Sequence, residues 1–382
     1  MNEKRIGTRT FGYSGGRVHV LLDGQWGSSG KGKMAPWLCD RLGIDTASTS
    51  NMPNAGHTTK RGDKTTMYKV LPSSITGDVC RTAILTGASV FDQNRLEAEV
   101  CEMQVGTRVL VHDRAVVMTA EHARRERESY GLRALASTMQ GSSAAMIDKI
   151  SRGGDELLAR HLECPGVEVW RAPMLRLWLD AHLAAGGAVL HEVSQGFALS
   201  IDHGSHYPQC TSRNCTTARG LDDLGVSPRL LGEVFMNLRP YPIRVGNIVG
   251  ADGDIVGHSG GGYADCHEVT WQQVGEGAGM PQDEIDRLTH AELTTVTKRL
   301  RRVFTFSWQG LEDAVRVNGV TCLLLNFAQY LDWELRGARG ETTRAALPRR
   351  VRDFVYTLEE TSGKPVIALG TGADYDDILI VN

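Results

Sequence analysis

At 382 residues, with 41% apolar and 23% charged side chains, the chain has ordinary globular usage, which excludes disordered, collagen-like and fibrous readings. Its net charge of −3 offers no basic footprint for a nucleic-acid polymer or an anionic membrane, so any nucleic-acid component bound is expected to be a small nucleotide. The cysteines (Cys39, Cys80, Cys101, Cys164, Cys210, Cys215, Cys266, Cys322) show no metal-finger spacing, and no apolar run approaches the roughly 20 residues of a membrane span, so a soluble cytoplasmic protein with reduced thiols is expected.

Residues 1–16 are polar and read as a flexible N-terminal arm, leaving 17–382 as one domain. Val18–Leu22 reads as a strand that runs into the glycine-dense turn GQWGSSGKGK and then a helix over Met34–Leu42. Glycines bring backbone N–H groups against an anion and a helix N-terminus adds a positive dipole end, which is phosphate-binding chemistry. Gly27 to Gly32-Lys33 has Walker A spacing, but Met34 stands where a Ser or Thr for Mg²⁺ should follow, so the loop is of another kind. The Pro- and Gly-broken stretch Asn51–Thr59 places Asn54, Gly56, His57 and Thr58 on a loop.

A helix over Asp92–Met103, a strand over 107–119 and a solvated, charged helix face over Glu121–Ser129 come next. Ser137–Ser143 is a second small polar loop, and Arg152 beyond it either serves a phosphate or is simply exposed. The strand Ala188–Val193 ends in Ser194-Gln195-Gly196, where α/β proteins place ligands. Gly246–Gly262 reads as a long loop, a lid or a surface excursion. Lys298, Arg299, Arg301 and Arg302 form either a solvated helix face or a clamp for carboxylates or phosphates. Val320–Leu325 is a buried-type strand ending at Asn326; Pro348 opens a helix that Gly363 closes; and Pro365–Leu369 is a core strand before Gly370-Thr-Gly372. Strands and helices alternate without a linker, which predicts an α/β fold: a single large domain around a mainly parallel central sheet with helices on both faces.

Four separated segments, QWGSSGKGK, NAGHT, SQG with IDHGSHYPQCTSRN, and TVTKRLRR followed by NGVT, together resemble the adenylosuccinate synthetase family from about residue 18 onward. The resemblance implies a homodimeric ligase in which a nucleoside triphosphate phosphorylates a purine C6 oxygen and the amine of L-aspartate displaces the phosphate. It implies that Lys31 and the loop amides hold the transferring phosphate, that His57 polarises it or donates a proton, and that Gln195 meets the purine edge. Asn54, Thr138 and Thr211 would hold the monophosphate, with Arg152 reaching from the other subunit. Thr294, Thr295, Val296, Thr297 and Arg299 would bind aspartate. The triphosphate would take Gly30, Lys31, Gly32, Lys33, Gly56, His57, Thr58 and Arg301, with Asn326, Gln329, Gly370 and Gly372 completing its site. Mg²⁺ would sit by Gly56 and Ser28.

Three departures refine this expectation. The family's loop aspartate is Ser28 here, a neutral side chain that leaves room for a purine 2-amino group, as in the viral branch of the family that converts dGMP on the route to 2-aminoadenine DNA. Asn326-Phe-Ala-Gln329 replaces a guanine-reading T-K-L-D, and an amide suits adenine, so ATP or dATP is the expected donor. Tyr375 replaces a basic residue on the donor side. Asp23 then either compensates as a Mg²⁺ ligand or is a strand-end polar residue. The expected function is ligation of L-aspartate to dGMP, against alternatives of ordinary action on IMP or an inactive nucleotide-binding regulator.

Overall fold

The computed structural model describes residues 4–11, 16–293 and 299–382. An eleven-stranded sheet forms its centre. In chain order the strands are β1 (Arg17–Asp23), β2 (Thr46–Thr49), β3 (Thr82–Leu85), β4 (Arg108–His112), β5 (Val167–Trp170), β6 (Ala188–Glu192), β7 (Leu231–Leu238), β8 (Cys322–Leu325), β9 (Gly340–Thr342), β10 (Val366–Gly370) and β11 (Ile378–Val381). Across the sheet they run β5-β4-β3-β2-β6-β1-β7-β8-β10-β11-β9. Every pairing is parallel except β10 with β11.

β1 is buried along almost its whole length, as a parallel strand covered on both faces must be. On one face Leu21 packs with Met34, Ala35 and Leu38 of the helix Lys31–Leu42; on the other, Val18, Val20 and Leu22 join Leu175 and Leu179 of Ala172–Ala184 and Val351 and Val355 of Arg349–Ser362. Register pairs Glu192 with Leu21 and with Thr49, Asn237 with Asp23, and Leu238 with Leu325. The carboxyl ends of β2, β6, β1, β7 and β8 therefore share one edge, and the loops leaving that edge carry the chemistry.

Several local expectations change. Residues 4–11 are not a flexible arm: Lys4–Ile6 pairs with Arg9–Phe11, and Ile6 and Phe11 enter the core, the Phe11 ring 5.9 Å from that of Phe235. His57 and Thr58 lie on a strand, because His57–Arg61 pairs antiparallel with Lys64–Tyr68 around a Gly62-Asp63 turn; only Asn54 and Gly56 remain in the loop. The expected strand over 107–119 divides into Arg108–His112 and Val116–Val117, which belong to different sheets. Gly246–Gly262 contains a small hairpin, Ile248–Val249 with Ile255–Gly257, and the His258 amide donates to the Ala134 carbonyl at 2.9 Å. Leu300 bridges back to Leu293 and Arg302 begins a strand, so no helix runs through the described part of the basic segment. Among the described residues, no helix is long and apolar enough to cross a membrane.

Candidate active site at the carboxyl edge of the sheet

Asp23, fully buried at the end of β1, is the template on which the next loop folds. Its Oδ1 accepts from the amides of Gln25 (2.8 Å) and Gly27 (3.3 Å), and its Oδ2 from the amide of Ser29 (3.1 Å), with Lys31 Nζ 3.8 Å away. A carboxylate has about four lone-pair sites, and three of them here accept from loop amides, so the Asp23 side chain is turned into the loop. Gly27, Ser28 and Gly30 are all left-handed (φ 89°, 54° and 91°), which coils the loop into the helix Lys31–Leu42. The opening amides of a helix have no intrahelical acceptor, and with the dipole they form a seat for an anion. Lys31 Nζ donates to the carbonyl of Gln195 at 2.8 Å, joining this loop to the end of β6, and Gln195 is itself left-handed (φ 63°).

The hairpin carrying His57 is pressed onto that helix. A Cβ on Gly32 would stand 2.5 Å from the Thr58 carbonyl oxygen, so only glycine allows the approach. Pro36 has no N–H, which frees the carbonyl four residues earlier, and Thr59 Oγ1 donates to that Gly32 carbonyl at 2.6 Å. His57 Nδ1 is buried without a hydrogen-bond partner. Burial, and then the Lys31 ammonium, push the imidazole pKa down to about 3, so the ring is neutral at pH 7.

Beside the loop lies a cavity of about 320 Å³, whose lining brings together Asn54, Thr138, Gln195 and Thr211 from four separate segments. Its wall includes Trp26, Leu199, Ile201 and Ser142, and Ser142 Oγ stands 3.5 Å from Asn54 Oδ1. Ser28 is exposed and is not part of the lining, and Arg152, also exposed and left-handed (φ 58°), lies outside it. Gly56 and Thr58 are exposed.

Other expected site residues are held elsewhere. Lys33 Nζ donates to the carbonyls of Gly372 (2.8 Å) and Asp377 (3.1 Å), and burial pushes its ammonium down to about 7 against the pull of Asp377 and Asp374. Asn326 Nδ2 donates to Asn237 Oδ1 (3.0 Å) and to the Gly30 carbonyl (3.4 Å), so this amide clamps the loop. A Cβ on Gly370 would stand 1.9 Å from Asn326 Oδ1. Gln329 is buried and its Oε1 has no partner. Tyr375 donates to Asp40, and its ring stacks under Arg61 at 4.0 Å. Arg299 donates to the carbonyls of Ala136 (3.1 Å) and Ser137 (3.3 Å), bracing the cavity wall. Arg301 pairs with Glu292 at 3.0 Å. Thr294, Thr295, Val296 and Thr297 lie outside the described residues.

Three residues of this region escaped the sequence reading. Glu126, in the run expected to be a solvated helix face, is buried; it accepts from the amides of Gly141 (2.7 Å), Ser143 (2.6 Å) and Ala144 (3.2 Å) and so occupies the N-terminus of the helix Ser142–Ile150. Arg244 lines the cavity and donates to the carbonyls of Ser259 (2.7 Å), Gly261 (3.2 Å) and Gln209 (2.7 Å) over the Trp26 ring. Arg239 is buried behind the loop. Single charged residues in ordinary-looking stretches carry no local signal of burial; apolar flanks, as around Arg239 in FMNLRPYP, were the one available hint.

The family model described as adenylosuccinate synthetase matches residues 20–161 and 174–335. The chain is 37% identical over 323 residues to the N6-succino-2-amino-2'-deoxyadenylate synthase of Vibrio phage phiVC8, covering 82% of this chain and 86% of that one. It is 35% identical over 352 residues to the synthase of the same name from Cyanophage S-2L, covering 89% and 92%. Among solved structures, the Cyanophage S-2L succinoaminodeoxyadenylate synthetase bound to dGMP and to dATP as an energy donor superposes with a TM-score of 0.78 at 30% identity, covering 95% of each chain.

Proposed function

The chain belongs to the adenylosuccinate synthetase family, and from that premise we propose that it is a carbon–nitrogen ligase joining L-aspartate to C6 of dGMP at the expense of dATP or ATP. The observation that carries this reading is the cavity itself: four of the six residues that the resemblance assigns to the purine monophosphate, Asn54, Thr138, Gln195 and Thr211, line one space next to the glycine-rich loop, with Ser28 and Arg152 outside it. Its volume of about 320 Å³ is that of a small-ligand site.

The reaction has two steps. The C6 oxygen of guanine attacks the γ-phosphorus of the donor, the bond to the β-bridging oxygen breaks, and the N1 proton leaves. The amine of aspartate then forms the C6–N bond as phosphate departs with the oxygen, and the amine loses a proton. Phosphoryl transfer depends mainly on positioning and charge neutralisation. Here Lys31, fixed by its bond to the Gln195 carbonyl, supplies the cation beside the loop amides. The neutral His57 ring supplies an N–H for the phosphoryl oxygens; an anion placed there raises its proton affinity against the depressing effect of Lys31. Gln195, on the cavity wall, meets the purine edge.

Ser28 and Gly56 are exposed oxygen donors of the hard kind Mg²⁺ takes, whereas Asp23 is committed to loop amides. Mg²⁺ bound with the triphosphate would neutralise its charge, held on the protein side by those two oxygens. Gln329, buried with an unpartnered Oε1, suits the exocyclic amine of adenine. Arg299 and the threonines before it are proposed for aspartate. Arg152, outside its own cavity, is proposed to serve the phosphate of a second copy of the chain in a homodimer. The enzyme is proposed to act in the cytoplasm of a phage-infected host.

The test is to incubate purified protein with aspartate, dATP and either dGMP or IMP, following phosphate release and product mass. Adduct formation from dGMP is the expected result; turnover of IMP alone overturns the dGMP assignment, and no turnover with either overturns the enzyme.

A further inference from the structure

Behind the phosphate loop, Arg239 is almost fully buried, 1% exposed, directly after β7. Its own backbone is read by the loop: the Gln25 side chain donates to the Arg239 carbonyl (3.0 Å) and accepts from the Arg239 amide (3.0 Å). Its guanidinium Nη1 donates to the Ser28 carbonyl at 3.3 Å, and Nη2 meets Glu292 Oε1 at 3.1 Å. The rings of Phe327, Trp271 and Tyr330 stand around it at 4.2, 5.7 and 5.8 Å. Glu292 accepts from Tyr330 Oη (3.3 Å) on the same oxygen and from Arg301 (3.0 Å) on the other. Burial alone pushes the Glu292 carboxyl up, yet Arg239 and Arg301 hold it below the ordinary carboxylate range.

The consequence lies in one peptide unit. The Ser28–Ser29 peptide has its carbonyl on Arg239 and its N–H on Asp23 (3.1 Å), two buried groups of opposite charge on opposite sides. Ser28 is a left-handed residue without glycine's freedom (φ 54°), a conformation that persists only where surrounding contacts hold it. We propose that Arg239 and Glu292 are positioning residues: together they lock the Ser28–Ser29 peptide, and with it the direction of the Ser28 hydroxyl and of the following amides, in fixed relation to Arg301. Neither group touches a substrate; both act through the loop. The catalytic part of this inference rests on the ligase reading above, whereas the conformational part does not.

Arg239→Lys keeps the charge but cannot reach Ser28 and Glu292 at once, and Glu292→Gln keeps the volume while weakening both arginine contacts. In steady-state assays with dGMP, aspartate and dATP, each variant should lose kcat by about 100-fold while KM for dGMP changes little, as expected for a misplaced reacting group. In parallel, amide hydrogen exchange of a peptide spanning 24–31 should accelerate about tenfold in both variants, with helix Arg349–Ser362 as an unaffected internal reference. The double variant should be scarcely worse than either single one, since both break the same lock. Unchanged exchange over 24–31 in folded Arg239→Lys and Glu292→Gln overturns the proposal whether or not the wild-type protein turns over dGMP. A kcat loss in the same ratio as the loss of folded protein in thermal melts overturns it as well, because the role is then only structural.

Discussion

Lys31 Nζ rests 2.8 Å from the main-chain carbonyl of Gln195, so the first lysine of the glycine-rich loop is held by a left-handed residue just beyond the end of a neighbouring strand. The contact joins two segments that are 164 residues apart, and it sets both the direction of the ammonium and the turn that carries Gln195 into the cavity.

Replacing that lysine tests both roles. Lys31→Met should remove phosphoryl-transfer activity by about 100-fold or more in kcat, since the lost interaction is electrostatic and preorganised. It should also lower stability by about 3 kcal/mol, because Asp23 keeps its amides but loses a buried counter-charge. Urea melts and initial rates measure the two effects separately; full activity in Lys31→Met would remove Lys31 from the chemistry.

Ser28→Asp should depress dGMP use by about tenfold or more in kcat/KM, since aspartate adds bulk and charge where a 2-amino group is expected to lie. Aspartate tolerates the left-handed conformation, so the fold should be unaffected. Kinetics unchanged with dGMP would show that position 28 does not set the purine choice.

The bond from Thr59 Oγ1 to the Gly32 carbonyl should exist because of Pro36. Thr59→Val is expected to cost about 1–2 kcal/mol by leaving that buried carbonyl unpaired. In a Pro36→Ala background, position 36 regains an N–H for the same carbonyl, and the cost of Thr59→Val should fall by at least half. Equal costs in both backgrounds, read from denaturant midpoints, would refute this account.

Acid should destabilise the fold through His19 and His191, both buried. Burial, opposed in His19 by Glu233 and in His191 by Asp223, pushes each imidazole from 6.5 down to about 4. Between those values the unfolded chain binds protons that the folded chain refuses. The stabilisation is therefore complete above 6.5 and declines as pH falls toward 4, by about 1.4 kcal/mol per pH unit for each histidine. Urea unfolding at successive pH values should show that slope, and a neutral replacement at His191 should lessen it.

Much of the fold was legible because its signals are local. The apolar run of β1, the helix between Pro348 and Gly363, and the strand into Asn326 carry their boundaries in neighbouring residues. The N-terminal hairpin was not legible, since Ile6 and Phe11 look like scattered apolar residues in a polar tail until the core that receives them exists. The strand at His57 was hidden for the same reason: its turn formers precede it, and its partner lies beyond Gly62-Asp63.

For the candidate site, the sequence by itself determined the chemistry on offer: glycines and lysines for a phosphate, amides and hydroxyls for a nucleotide, and a neutral Ser28 where the family carries aspartate. Tertiary structure alone decided how those groups are used. Four polar residues converge on one cavity because parallel strands end on one edge; Lys33 and Asn326 are drawn into structural bonds; and Asp23 and Arg239 clamp a single peptide between opposite charges. The physical reason is that a side chain's donors and acceptors must be satisfied by whatever the fold brings near them once water is excluded, and sequence separation says nothing about that neighbour.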